Sequence, residues 1–239
     1  MNFGYAGLMC GRFTLRKDSD ALAAHFEVED VHPLGPRYNI APSQQIPVVR
    51  VNPASGRREL AMQRWGLDPP WSPGRGPARM LINARAETLA ARPTFREAFR
   101  RRRCLIPADG FYEWEKLERS KQPWFIRRKD DGLFAFAGLW NPGSESGDGT
   151  SASCTIITTA PTAALARIHD RMPVILPPGE YATWLDPGIT EAATLAPLLG
   201  ARGAPGSGES GGELEMYRVR TTVNRAENDT PACIAGGSS

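Results

Sequence analysis

The sequence contains no apolar run approaching the ~20 residues that a membrane-spanning helix needs, so no membrane association is expected. Met1 to Leu8 lack a basic n-region and a long apolar h-region, which argues against a secretory signal and for a cytoplasmic protein. Cysteine is sparse. Cys10, Cys104, Cys154 and Cys233 are widely spaced and form no C-x-x-C pair, which speaks against a zinc site and for free thiols in a reducing compartment. Cys104 and Cys154 lie in apolar, strand-like runs and read as packing residues. Lysine is also scarce: it supplies four of the 29 basic residues, and the rest are arginine. Arginine presents a planar fork that matches phosphate, although codon usage could produce the same bias. Net charge is only +3, a weak hint of an anionic partner.

What is present is a chain of 239 residues, 41% of them hydrophobic, enough for a sizeable core. Residues 19–28 read as a helix capped by Ser19 or Asp20. Residues 94–102 read as another, with Thr94 and Glu97 at capping-box spacing. Further helices are expected at 161–168 and 178–185. Arg100 to Arg103 read as a solvated helix end that complements the dipole. Strand-like runs fall at 46–51, 58–65, 104–106, 111–114, 123–127, 133–140 and 154–158. Pro69 to Pro77 is a Pro/Gly loop carrying Trp71. Asn141 to Ser151 and Gly200 to Gly212 are rich in Gly and Ser and read as flexible surface loops. No internal repeat and no alternating βα pattern is visible. The expected fold is therefore α+β, a single domain over residues 9–235 around a mainly antiparallel sheet.

Met9-Cys10-Gly11-Arg12-Phe13 is the most informative segment. A chain starting at Met9 and trimmed of it would begin with Cys10. Residues 1–8 are then an extension outside the mature protein, removed by choice of start or by self-cleavage. A terminal cysteine carries an amine with a pKa of about 8 next to a thiol of about 8.5. An aldehyde can form a Schiff base with the amine, and the thiolate can then close a thiazolidine ring. An internal cysteine cannot do this, because its nitrogen is an amide.

Three further clusters accompany it: Ile82-Asn83-Ala84-Arg85-Ala86-Glu87-Thr88, Pro107-Ala108-Asp109-Gly110-Phe111-Tyr112-Glu113-Trp114, and Ile168-His169-Asp170-Arg171-Met172-Pro173. Shorter motifs lie between and after them: Arg37 to Pro42, Arg64 to Leu67, Lys121 to Pro123, Ala137 to Trp140, Thr158-Thr159 and Val223-Asn224. Together and in this order they resemble the SOS-response-associated peptidase family, whose members crosslink to abasic DNA.

The resemblance implies a barrel-like sheet core with flanking helices. It implies Cys10 as nucleophile, Asn83 as the group orienting it and the sugar, Glu113 as acid/base near the Schiff base, and His169 as the proton exchanger during sugar-ring opening. It implies Arg12, Arg85 and Arg171 as phosphate grips and Trp71 as a stacking platform. Asn39 and Pro42 are expected to line the same groove, and Thr158 to border the pocket. The implied partner is single-stranded DNA containing abasic sites. The implied chemistry is covalent crosslinking, with Schiff-base lyase-like and autoprocessing peptidase activity. No cofactor or metal is called for, and a monomer is expected.

The residue types fit those roles. Opening a closed abasic sugar needs a proton on the ring oxygen, and histidine titrates in the useful range. A carboxylate with a raised pKa can dehydrate a carbinolamine. Two other readings stay open at this level: a cysteine peptidase, and a single-strand-binding module using the arginines and Trp71. Ser72 departs from relatives with a second aromatic beside Trp71. His25 and His32 carry no motif. Trp65, Trp114 and Trp140 read as core.

Overall fold

The computed structural model describes residues 10–29, 31–68, 80–143, 152–201 and 213–237. The elements run β1 (Phe13–Leu15), α1 (Ser19–Phe26), β2 (Arg37–Ile40), β3 (Gln45–Val51), β4 (Arg58–Trp65) and β5 (Asn83–Arg85). They continue with α2 (Pro93–Arg101), β6 (Arg103–Ala108), β7 (Gly110–Lys116), β8 (Lys121–Arg128), β9 (Phe134–Asn141) and β10 (Ser153–Thr159). The last group is α3 (Ala163–Ala166), β11 (Met172–Pro173), β12 (Ile175–Leu176), α4 (Tyr181–Leu185), α5 (Ala192–Leu195) and β13 (Leu214–Arg218). Short 3-10 turns link several of them.

The architecture is α+β. A five-stranded antiparallel sheet has the order β13-β8-β7-β1-β2. A larger mixed sheet has the order β11-β10-β4-β3-β6-β9-β12, and an extra β9–β10 pairing brings its path round into a barrel-like form. The main apolar core lies inside this curl and between the two sheets. Phe13 of β1 joins them, packing edge-on against Trp65 and Phe136. Trp65, Cys104 and Cys154 are fully buried and Trp140 nearly so, as expected of packing residues. No helix among the described residues is long and apolar enough to cross a membrane.

Several local expectations are corrected. Helix α1 is capped by Asp18, whose carboxylate accepts from Ala21 N, while Ser19 and Asp20 lie inside the helix. Helix α2 starts with Pro93 at its first turn, where the missing N–H is no loss, and Thr94 makes no cap bond. The expected helix at 161–168 shortens to Ala163–Ala166. Asn141, placed in a loop by composition, ends β9 and is buried. The remainder of the two Gly/Ser segments, at 144–151 and 202–212, lies outside the described residues, as do residues 1–8 and the loop with Trp71 and Ser72.

Arg103 departs furthest from its reading as a solvated helix end. It is 3% exposed and opens β6. Its fork donates to Phe99 O at 2.7 Å, Arg100 O at 2.6 Å and Trp184 O at 2.6 Å, and also to Asp186 O. These carbonyls are the negative ends of α2 and α4. The dipole argument was right about sign, but the charge serves two helices at once from inside the protein. Burial lowers its pKa to about 10.

Candidate active site

Strand β1 sets the position of Cys10. It pairs with β7 so that Phe13 faces Phe111 and Thr14 faces Gly110. Asp109, fully buried, fixes this register. Its carboxylate accepts from Thr14 Oγ1 at 2.6 Å, Arg16 N at 2.5 Å, Arg16 Nε at 3.0 Å and Lys17 N at 3.2 Å. Gly110 cannot carry a side chain: a Cβ there would sit 2.2 Å from the Phe125 ring. The chain N-terminal to β1 therefore runs beside Glu113.

The result is a compact nucleophile–carboxyl pair. Cys10 N donates to Glu113 Oε1 at 3.1 Å, and Cys10 Sγ donates to the same oxygen at 2.7 Å. Both residues are buried, at 3% and 2% exposure. Cys10 has φ of 39°, in the left-handed region that non-glycine residues rarely adopt. Burial pushes the Glu113 carboxyl up to about 8, against the lowering effect of the Cys10 hydrogen bonds, with Asp170 adding a further upward push. Burial also raises the Cys10 thiol well above its usual range, and nearby Glu113 adds to this, while Arg171 pulls it down. The pair therefore holds protons near neutrality and can pass them between its members.

The segment after α3 lies within electrostatic reach of the pair, through Arg171 on Cys10 and Asp170 on Glu113. His169 Nδ1 accepts from Arg171 N at 3.1 Å, which leaves the proton of the neutral ring on Nε2. Asp170 Oδ1 lies 3.1 Å from the same Nδ1 and would pair with a protonated ring. Arg171 makes a bidentate pair with Glu87, at 2.6 and 2.8 Å, and donates to Thr158 O at 2.6 Å. Glu87 is held below the usual carboxylate range, first by that hydrogen bond. Asn83 and Arg85 enter on β5, in parallel register with Ile156 and Thr158 of β10. Arg85 is exposed. The Thr158 hydroxyl is buried, with no hydrogen-bond partner among the described residues. Pro42 is half-buried in the turn after β2.

Asn39 does not line a groove. It is fully buried, and its Nδ2 donates to Val223 O at 3.2 Å, Arg225 O at 2.8 Å and Asn228 O at 2.8 Å. Its Oδ1 accepts from Arg12 Nη1 at 2.9 Å, and Arg12 also reaches Val223 O at 2.8 Å. Asp229 completes the knot by accepting from Arg37 Nε, Tyr38 N and Asn39 N. The reason is the length of the return: residues 221–233 fold back over β2, and their backbone carbonyls need donors. Trp114 is also not core. It is half-buried in a satellite cluster and donates to Asn224 Oδ1 at 2.9 Å.

Cys10 and Glu113, 103 residues apart in sequence, thus meet directly. Arg171 and Asp170 act on the pair electrostatically, and Arg12 is held by the C-terminal segment. Sequence reasoning gave no role to Glu87, Asp109 or Asp229. The first two lie inside quoted motifs, and an acidic residue two after Arg85 or four before Glu113 could have been tested as a partner. Asp229 carried no such signal.

This fold and this cysteine–carboxyl arrangement place the chain in a family: it belongs to the SOS response associated peptidase family, whose model matches residues 9–226. Among individual relatives, it is 41% identical over 230 residues to the abasic site processing protein YoqW of Bacillus subtilis, covering 95% of this chain and 99% of that one. It is 34% identical to the abasic site processing protein YedK of Escherichia coli, covering 79% and 85%. A crystal structure of a Bacteroides thetaiotaomicron protein superposes with a TM-score of 0.80 at 25% identity, covering 96% of this chain and all of that one.

Proposed function

We propose that this protein processes abasic sites in single-stranded DNA by forming a thiazolidine crosslink through Cys10. The observation that carries the reading is the single oxygen, Glu113 Oε1, touching both nitrogen and sulfur of Cys10. That nitrogen is an amide here. In a chain beginning at Cys10 it is the α-amine. The relatives named for abasic-site processing support the substrate class.

The steps balance around one carboxyl group. The His169 imidazolium gives its Nε2 proton to the ring oxygen as the abasic sugar opens, and the proton leaving the C1′ hydroxyl returns to the ring through solvent, so the aldehyde forms with no net proton change. The Cys10 amine adds to the aldehyde carbon and gives a carbinolamine. Glu113, protonated because it is buried, gives its proton to the carbinolamine hydroxyl, which leaves as water. The iminium that forms is attacked by sulfur while the Glu113 carboxylate takes the thiol proton. Glu113 ends as it began, and one water has been lost. A group poised at about 8 can serve both as acid and as base near neutrality. Arg85 and Arg171 hold flanking phosphates, Arg12 holds its side of the site in place, Asn83 orients the sugar, and Trp71 supplies a stacking face outside the described residues.

The test uses protein beginning at Cys10 and a single-stranded oligonucleotide with one abasic site, separated on a denaturing gel. A shifted band that survives boiling is expected, absent with Cys10→Ala and absent on the undamaged strand. No band from protein with a mass-verified terminal Cys10 removes the proposal.

The same geometry favours a maturation step. Cys10 has strained backbone, and its N–H rests on Glu113. Glu113 takes the thiol proton as sulfur adds to the Met9 carbonyl and returns it to the departing nitrogen, which gives a thioester that water hydrolyses to the Met9 acid and a free Cys10 thiol. Full-length protein is expected to lose residues 1–9 on incubation, read by intact mass, and Cys10→Ala to keep them.

Arg171 enters DNA binding already paired. Glu87 occupies the fork that a phosphate would take, and its side chain is 51% exposed, so the pair is weak and displaceable. Glu87→Gln is expected to tighten single-strand binding roughly 3-fold and steepen its salt dependence, because phosphate no longer competes with a carboxylate. Anisotropy titrations at several salt concentrations measure this. Weaker binding would mean that Glu87 holds Arg171 in its binding pose.

A further inference from the structure

Strand register extends the site in one direction. Glu113 of β7 lies directly opposite Trp124 of β8, and Trp124 lies directly opposite Arg218 of β13. Directly paired residues share a sheet face, so Glu113, Trp124 and Arg218 form one row across three strands. Two spacings of roughly 4.8 Å put its far end about 10 Å from the catalytic carboxyl's strand. Part of the Trp124 side chain packs against the main core, and the rest stays open. Trp124 is half-buried, and two guanidinium groups lie over its ring, those of Arg167 and Arg218, each 5.3 Å from the centroid. Arg167 sits at the end of α3, two residues before His169, and is exposed, as is Arg218.

The electrostatics leave these cations available. Arg218 approaches Glu115 only loosely, at 3.7 Å, and Glu115 is engaged by Trp124 Nε1 at 2.9 Å. Arg167 makes no ion pair among the described residues; its contact is with the ring. A guanidinium stacked on an aromatic face keeps its N–H edge open to an anion. Trp124 therefore holds two forks on the open side of the active-site row, pre-oriented at low entropic cost.

We infer that Arg167, Trp124 and Arg218 form a phosphate-binding subsite for the DNA strand flanking the abasic nucleotide, on the β8–β13 side of Glu113. This rests on the proposed function for the identity of the strand. It adds a second set of grips, separate from Arg85 and Arg171, and gives the bound strand a direction across the sheet.

The experiment measures binding apart from crosslinking. The probe is a labelled single strand with one tetrahydrofuran residue, an abasic analogue with no aldehyde. Anisotropy gives Kd against salt for wild type, Arg167→Ala/Arg218→Ala, Trp124→Leu, and Arg96→Ala/Arg100→Ala as a charge-matched control on α2. The subsite predicts about 10-fold weaker binding for the first pair and a log–log salt slope shallower by about 1.4, the value for two single-strand phosphates. Trp124→Leu should weaken binding while keeping the slope, because the charges remain, and the control should match wild type. Thermal melting verifies folding, and Arg167→Ala alone serves if the double variant melts early. An unchanged Kd and slope in a folded variant overturns the subsite. Wild-type protein that binds this probe yet fails to crosslink a true abasic strand removes the proposed chemistry, while the slope still judges the subsite.

Discussion

Glu113→Gln is expected to slow crosslinking by about 10²–10⁴-fold while making the protein more stable at alkaline pH. The rate loss follows from removing the group that both gives and takes the transferred proton. Gln fills the same space and can still bond Cys10, but it can neither donate an acidic proton nor accept one. The stability gain follows from linkage. The Glu113 proton is held up to about 8 in the fold, against an ordinary value of 4.5. Between those pH values the folded chain binds a proton that the unfolded chain has released. Stability therefore falls as pH rises through this window, and the full cost is present above pH 8. The group is buried, so the cost is on the order of a few kcal/mol. Gln is neutral throughout and removes this dependence. Melting temperatures of the two proteins should coincide near pH 4 and separate by pH 8, with the variant higher. Equal melting at pH 8 would mean that the carboxyl ionises freely. The wild-type rate should also decline above about pH 8, as the acid form of Glu113 disappears.

Arg103→Met is expected to cost about 3–5 kcal/mol. The substitution keeps much of the stem volume but leaves the carbonyls of Phe99, Arg100, Trp184 and Asp186 without their donor in a site that water reaches poorly. The stacking on Trp184, 5.7 Å from the guanidinium carbon, is lost as well. For a domain of this size, each kcal/mol lowers the melting temperature by roughly 2–4 °C, so a drop of about 10 °C is expected. Arg100→Met and Arg101→Met, on the exposed side of α2, should change it by less than about 2 °C. Calorimetry on the three variants separates them. Arg103→Lys should recover only part of the loss, because a point-like ammonium cannot reach four acceptors in a fixed fork.

The four arginines from Arg100 to Arg103 illustrate where sequence reading stops. They are chemically identical and adjacent, and dipole reasoning favours all of them equally. Which one turns inward depends on α4, about 80 residues away, ending beside α2. The same holds for Asn39. Its motif fixed its importance, but its direction depends on residues 221–233 folding back across β2. That return is set by Asp229, which nothing nearby in sequence foretold.

The central strands were legible because their apolar runs are long and bounded by turn residues. Strand β4 was placed at its observed limits, and β3, β8 and β9 within two residues. Strands β5, β11 and β12 were not, since two or three residues carry no periodicity and exist only by pairing with β10 or β9.

The sequence by itself determined the reactive inventory: a cysteine able to become a terminal nucleophile, one candidate acid/base, the one histidine of three that lies in a motif, and an arginine-rich set of candidate anion grips. It also determined the α+β class, through strand-length apolar runs and few helices. Only the tertiary structure decided that Cys10 N and Sγ meet one oxygen of Glu113, that Arg171 waits on Glu87, and that Trp124 lies in the active-site row. Each depends on contacts between residues far apart in the chain. Their closure entropy is met by the whole core at once, and burial, which sets the Glu113 pKa, belongs to the packed fold and to no local segment.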